Sequence, residues 1–142
     1  MKARQQGVAI VELALILPLL LLLTFTVTEF GRALYEYNTV AKAVRDAARY
    51  LSAQTPGTHQ VEARNLIVYG NVAGTGSPLA RGLSASNVPN ATWQPEGTAP
   101  VINTVKVKVT GYAFQPLVPS VFGVAFNNLT YNDITATMRS QL

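Results

Sequence analysis

The stretch Gly7-Val8-Ala9-Ile10-Val11-Glu12-Leu13-Ala14-Leu15-Ile16-Leu17-Pro18 opens an apolar run that continues to Thr28 and is broken by one acid, Glu12. Val8 to Thr28 is 21 residues. As a helix it reaches about 32 Å, enough to cross a bilayer core of about 30 Å. Starting after Glu12 would leave about 24 Å, which is short. Glu12 is therefore expected inside the apolar slab, near its N-terminal edge, where an ionised carboxylate costs at least a few kcal/mol. Ahead of the run, Lys2, Arg4, Gln5, Gln6 and Gly7 form a short basic leader. A secretory signal would carry a shorter apolar core and a small-residue cut site after it. No Ala-x-Ala-like site follows Leu23, and the run passes straight into an amphipathic pattern. The apolar segment is expected to stay in the mature protein.

Composition agrees with an anchored chain. Charged residues are only 13%, low for a soluble protein. The 142 residues allow one membrane segment and one small domain. The net charge of +4 would fall to +2 on loss of Lys2 and Arg4. The other Lys and Arg are scattered, so no basic run suggests a nucleic-acid partner. Cysteine is absent, which excludes disulfide and thiol chemistry.

The pattern predicts an α+β chain: a long N-terminal helix packed on a small antiparallel β-sheet head. Its parts are a leader over 1–7, a transmembrane and assembly helix over 8–29, an amphipathic continuation over 30–52 and a head over 53–142. In the continuation, Phe30, Leu34, Tyr37, Val40 or Ala41, Val44, Ala47 or Ala48 and Leu51 recur at helical spacing. Arg32, Glu36, Lys42, Arg45, Asp46 and Arg49 fill most of the opposite face. Lys42–Asp46 is a favourable i, i+4 pair and Arg45–Arg49 an unfavourable one. Val8 to Leu51 reads as one rod of about 66 Å. Pro18 cannot donate to the Ala14 carbonyl and is expected to kink or locally melt it. Gly31 lowers helix propensity by about 1 kcal/mol at the end of the apolar run. Membrane helices tolerate both residues; alternatively, they let the rod bend and repack.

Pro56-Gly57 marks a turn, and a second helix is expected from Thr58 or His59 to Tyr69, capped by Gly70. Gly- and Pro-rich residues 70–100 read as loops with one or two short strands. Val101–Phe114 is the strongest strand, with Val105, Val107 and Val109 alternating with Lys106, Lys108 and Thr110. Leu129–Met138 is the second. Between them, Gln115–Pro119 and Phe122-Gly123 read as an apolar loop. Residues 53–142 are few for a stable core, so the apolar stripe of the long helix is expected to complete it.

The junction Gly7-Val8 with Glu12 as the fifth residue of the run resembles a prepilin peptidase site. With Pro18, Thr28-Glu29-Phe30-Gly31-Arg32-Ala33-Leu34-Tyr35, Ala47-Ala48-Arg49-Tyr50, Tyr69-Gly70 and Thr135-Ala136-Thr137-Met138-Arg139, the chain resembles the TadE-like family. The likeness is dense over residues 7–52 and reduces to short points beyond. It departs at Leu13, where the family usually has Phe, a conservative change. The resemblance implies a type IV pilin-like fold. It also implies a minor pilin or pseudopilin of the tight-adherence (Flp) pilus system, cut after Gly7 by a prepilin peptidase and taking part in pilus assembly or priming. Implied partners are that peptidase, other pilin or pseudopilin subunits, the inner-membrane assembly platform and membrane lipid. The implied location is the bacterial inner membrane, single-pass, with a cytoplasmic N-terminus, an extracytoplasmic head and a route into the pilus. Charge alone does not fix that orientation, because Arg32, Lys42, Arg45 and Arg49 outnumber the leader's cations; the peptidase resemblance decides it.

Glu12 carries the chemistry. A cut after Gly7 would leave an amine on Val8, one helical turn away. Glu12 would pair with that amine, in its own subunit or a neighbour's, and breaking a buried pair costs a few kcal/mol. The alternative is a boundary carboxylate that stays solvated or protonated. Glu29 and Arg32 stand at i, i+3 by the membrane exit, either as an intermolecular contact or as a solvated pair worth under about 1 kcal/mol. Tyr35 and Tyr37 are interfacial anchors or ordinary helix residues. His59 is the single histidine, and without cysteines or an acid cluster no zinc site is expected. Trp93 is a core anchor or an exposed patch. No phosphate loop, nucleophile elbow or acid–base carboxylate pair is present, so no catalytic residue, metal or cofactor is assigned and the chain is not read as an enzyme. Two rival functions stay open: a membrane-anchored binding or sensing domain that never polymerises, and the major fibre subunit itself.

Overall fold

In a computed structural model, the structure describes residues 2–141, with side chains from residue 7 onward. The leader side chains Lys2 and Arg4 lie outside the described residues. Helix α1 runs Lys2–Ser52 without interruption. Its 51 residues reach about 76 Å. The helix continues through Pro18. The missing Pro18 N–H therefore does not interrupt the helix. Thr24, Thr26 and Thr28 each donate a hydroxyl to the carbonyl four residues back, at 2.8 Å. Those hydroxyls are thus satisfied without water, as an apolar surrounding requires.

Helix α2, Gln60–Tyr69, ends on Gly70 in the left-handed region, whose N–H bonds the Leu66 carbonyl at 3.0 Å. His59 precedes it with φ 56°. A short 3-10 turn occupies Ala85–Asn87. Strands β1 (Thr92–Glu96), β2 (Ile102–Val109), β3 (Ala113–Phe114), β4 (Ser120–Val121), β5 (Val124–Ala125), β6 (Leu129–Thr130) and β7 (Ile134–Arg139) follow. The main sheet is antiparallel in the order β1-β2-β7, with β3–β6 and β4–β5 as separate two-stranded pairs. Val107 faces Ala136 and Val109 faces Ile134 across β2 and β7. Gly111, at φ 61°, ends the expected 101–114 strand by turning the chain between β2 and β3.

The sheet and α2 both pack on the C-terminal part of α1. Val40, Val44, Ala47, Ala48 and Leu51 are fully buried there, against Ile67, Val68, Val105, Val107 and Val109. Alternating Lys106 and Lys108 leave the core face, so period two in the strand meets period 3.6 in the helix on one apolar plane. Trp93 joins the core edge, with its indole Nε1 buried and without a hydrogen-bond partner. The chain end is tied back: Ser140 N–H donates to the Asn103 carbonyl and Gln141 N–H to that of Ser52.

The stripe of α1 differs from expectation over one stretch. Beyond Val40 the apolar positions face the core. From 29 to 36 the inward residues are Glu29, Arg32, Ala33 and Glu36, while Phe30 and Leu34 stand outward at 60% and 51% exposure. Arg32 and Glu36 therefore face the head rather than solvent. Hydrophobicity does not report burial on this stretch: the apolar Phe30 and Leu34 stand outward, and the polar Glu29 and Glu36 find partners in the head. The Lys42–Asp46 ion pair does not form among the described residues.

Candidate functional site

Two regions of α1 carry the candidate residues. The first is its free N-terminal half. The most apolar 18-residue window of α1 has mean hydropathy 2.7, and none of it is buried. Gly7, Val8, Val11, Glu12 and Leu15 line one exposed, shallow hollow there. The Gly7–Val8 bond lies within the helix, in a turn weakened by glycine. Glu12 is exposed, with no ion-pair or hydrogen-bond partner among the described residues. The helix sets the Val8 nitrogen and Glu12 one turn apart on one face.

The second region is the clasp where α1 meets the base of the head. Glu29 is 7% exposed although it follows the apolar run directly. Its Oε2 accepts from Arg32 Nη1 at 2.9 Å and from the Leu117 backbone N–H at 3.3 Å. Arg32 Nη2 reaches Glu36 Oε1 at 3.2 Å, and Glu36 Oε2 accepts from the Tyr112 hydroxyl at 2.9 Å. The guanidinium lies 5.3 Å from the centre of the buried Phe114 ring, within cation–π range. Tyr131 donates to the Ala33 carbonyl at 2.6 Å and stacks on Tyr112, with ring centres 5.5 Å apart. One guanidinium thus forks between two carboxylates, and each carboxylate is also held by a group from the head. Glu29 and Arg32 are engaged within the chain, bonding α1 to its own head.

Burial, then the hydrogen bond to Glu36 and its charge, push the Tyr112 hydroxyl well above the ordinary tyrosine range. Burial and the Glu36 charge move Tyr131 the same way. Both hydroxyls stay protonated donors. Sequence reasoning found Glu29 and Arg32 but missed Glu36, Tyr112, Phe114, Leu117 and Tyr131. The spacing 29, 32, 36 places three charged residues on one helical face, and that was the available signal. Nothing in the sequence marked the head groups that meet them. Tyr35 is exposed, whereas the Tyr37 ring lies 5.4 Å from that of Tyr131. Gly31 has no atom of another part of the chain within 4 Å of where a Cβ would stand. Pro18 lies in the exposed half. His59 touches Thr58 at 2.9 Å, and among the described residues no three His, Cys, Asp or Glu side chains gather for a metal.

Residues 7–49 match the family model described as TadE-like protein. The resemblance carried by the Gly7–Tyr50 motifs is borne out on that span, and the α+β architecture of a long apolar helix with a small antiparallel head accompanies it. The family is pilus-associated and structural rather than catalytic. Neither the curated proteins nor the solved structures give a match to this chain.

Proposed function

We propose that this TadE-like chain is a minor pilin or pseudopilin of the tight-adherence pilus, stored in the bacterial inner membrane and cut after Gly7 by a prepilin peptidase. The observation that carries the reading is the division of labour along α1. Its C-terminal half is the missing side of the head core, and its N-terminal half is bare, apolar and interrupted by one carboxylate five residues past a glycine. A bare half of that kind has two solvents, lipid and other apolar helices. A stored precursor uses the first and an assembled fibre the second.

Cleavage would change the chemistry at one point. The Val8 nitrogen would pass from an amide to an ammonium, one turn from Glu12. The new helix terminus would also place free N–H groups and the positive end of the macrodipole beside that carboxylate. Pairing within the subunit or with a neighbour would neutralise both charges in an apolar bundle, and register would follow from the pair. Pro18 and Gly31 would supply local compliance when the helix leaves lipid for the bundle. The assembly platform and the other pilin subunits are the partners this reading requires, with the N-terminus cytoplasmic and the head outside.

Glu12→Gln keeps the size of the side chain and removes the charge. It is expected to leave membrane insertion and head stability unchanged and to reduce recovery of the protein in sheared pili at least tenfold. Glu12→Gln recovered in pili as efficiently as the parent chain would remove the pairing role.

A further inference from the structure

From Val109 to Asn132 the chain holds no Asp, Glu, Lys or Arg. The same segment walks along α1 toward its apolar half. Tyr112 bonds Glu36, Phe114 lies under Arg32, and the Leu117 N–H reaches Glu29. One turn further, Phe126 and Leu129 border a cleft of about 240 Å³ with Thr26 and Phe30. From position 36 to 26 this is a descent of about 15 Å along the helix. It brings the base of the head level with the last turns of the 8–28 run.

At that level the head is apolar outward. Leu117 and Phe122 are 59% and 66% exposed, and Val124 and Leu129 are exposed beside them. The β4–β5 hairpin turns on Phe122 and Gly123, with φ 49° and 83°. Two positive φ values define a turn that Asn-Gly or Asp-Gly fill best. A bulky residue there is an outlier, and this ring gains no burial inside the chain to offset it. Across the cleft Phe30 and Val27 on α1 are exposed as well, and Glu29, which lines the same cleft, is buried and paired with Arg32.

We infer that the uncharged segment 115–129 is a second membrane contact, with the β4–β5 hairpin lying in the interfacial layer of the leaflet through which α1 leaves and Phe122 inserted among the lipid chains. The inference rests on residues 8–28 of α1 occupying a bilayer. Lipid is the occupant that fits, because the exposed side chains of the segment carry no charge, the segment borders α1 at Thr26 and Phe30, and that is the level at which the apolar run ends. Interfacial insertion of one aromatic and a few aliphatic side chains is how peripheral apolar surfaces hold to a membrane. The contact fixes the angle between α1 and the head while the subunit is stored, and extraction into a fibre has to break it.

The test uses the full chain in phosphatidylcholine–phosphatidylglycerol vesicles, with Trp93→Phe removing the native indole. Phe122→Trp and Leu20→Trp are made separately in that background. Phe122→Trp is expected to be quenched by a spin label high on the acyl chain and to lose more than half its iodide quenching relative to free N-acetyltryptophanamide. Leu20→Trp is expected to respond to a label deep in the acyl chain. Phe122→Asn suits the turn and keeps the hairpin; adding it to a Val124→Trp reporter is expected to restore iodide access. A Phe122→Trp as open to iodide as the free compound, while Leu20→Trp lies in lipid, overturns the hairpin contact and leaves the anchor standing. Shielding of Phe122→Trp from both quenchers that grows with protein-to-lipid ratio assigns the patch to a second copy, which also overturns it. A Leu20→Trp outside lipid removes the anchor and this inference together.

Discussion

A carboxylate at the point where a helix leaves an apolar segment has to be paired or wet. Glu29 is paired: Arg32 and the Leu117 amide hold it while the head covers it. Arg32 also serves Glu36, so its removal leaves two acids on one face with a single cation's worth of attraction gone. Arg32→Ala is expected to destabilise docking of the head on α1 by about 1–3 kcal/mol, below the range for a fully buried pair because the guanidinium is partly exposed. Denaturant unfolding in detergent measures this. Arg32→Lys is expected to recover less than half of the loss, since an ammonium cannot fork between two carboxylates. Tyr112 adds a pH signature. Folding holds its proton above the ordinary range, so the unfolded chain releases a proton first as pH rises. Stability is then complete below about pH 10 and declines above it. Tyr112→Phe is expected to flatten most of that alkaline decline in thermal unfolding followed from pH 8 to 11, with Tyr131 supplying the remainder.

At the scale of elements, α1 is two helices in one. Val44 belongs to the core half, and Val44→Ala is expected to cost about 1.5–3 kcal/mol. Leu15→Ala in the bare half should leave unfolding of the head unchanged in the same assay. Gly31 separates stability from assembly. No neighbouring atom opposes a Cβ there, so Gly31→Ala is expected to raise helix stability by about 0.5–1 kcal/mol. If compliance at that point serves extraction from the membrane, the same variant incorporates into pili more slowly. The two effects having one sign would remove the compliance role of Gly31.

Much of this layout was legible. A helix with no stop signal from Val8 to Leu51, Gly70 after Tyr69, and Val105-Lys106-Val107-Lys108-Val109 each state their structure locally. The junction Gly7-Val8 and Glu12 stand out by spacing alone, and the roles given to them belong to the proposed function. The inward turn of Glu29, Arg32 and Glu36 was not, since their partners Tyr112 and Leu117 lie more than seventy residues away and meet them only when the sheet docks. The β4–β5 hairpin was read as a loop for a related reason: its turn is filled by Phe122, which carries no turn signal of its own.

For the whole molecule, the head is a small domain completed by a helix that continues far beyond it. The core cannot be built without residues 40–51, so head and helix travel as one body, and whatever moves the helix moves the head. In the proposed function the free half has lipid around it before assembly and other helices after, and the amine that cleavage would create sets the difference. The N-terminal residue of the protein purified from cells, with the prepilin peptidase present and deleted, tests this most directly. The account predicts a chain starting at Val8 when the peptidase is present and one keeping residues 1–7 when it is absent. Fibre-competent protein that keeps Gly7 and everything before it in peptidase-positive cells would contradict it.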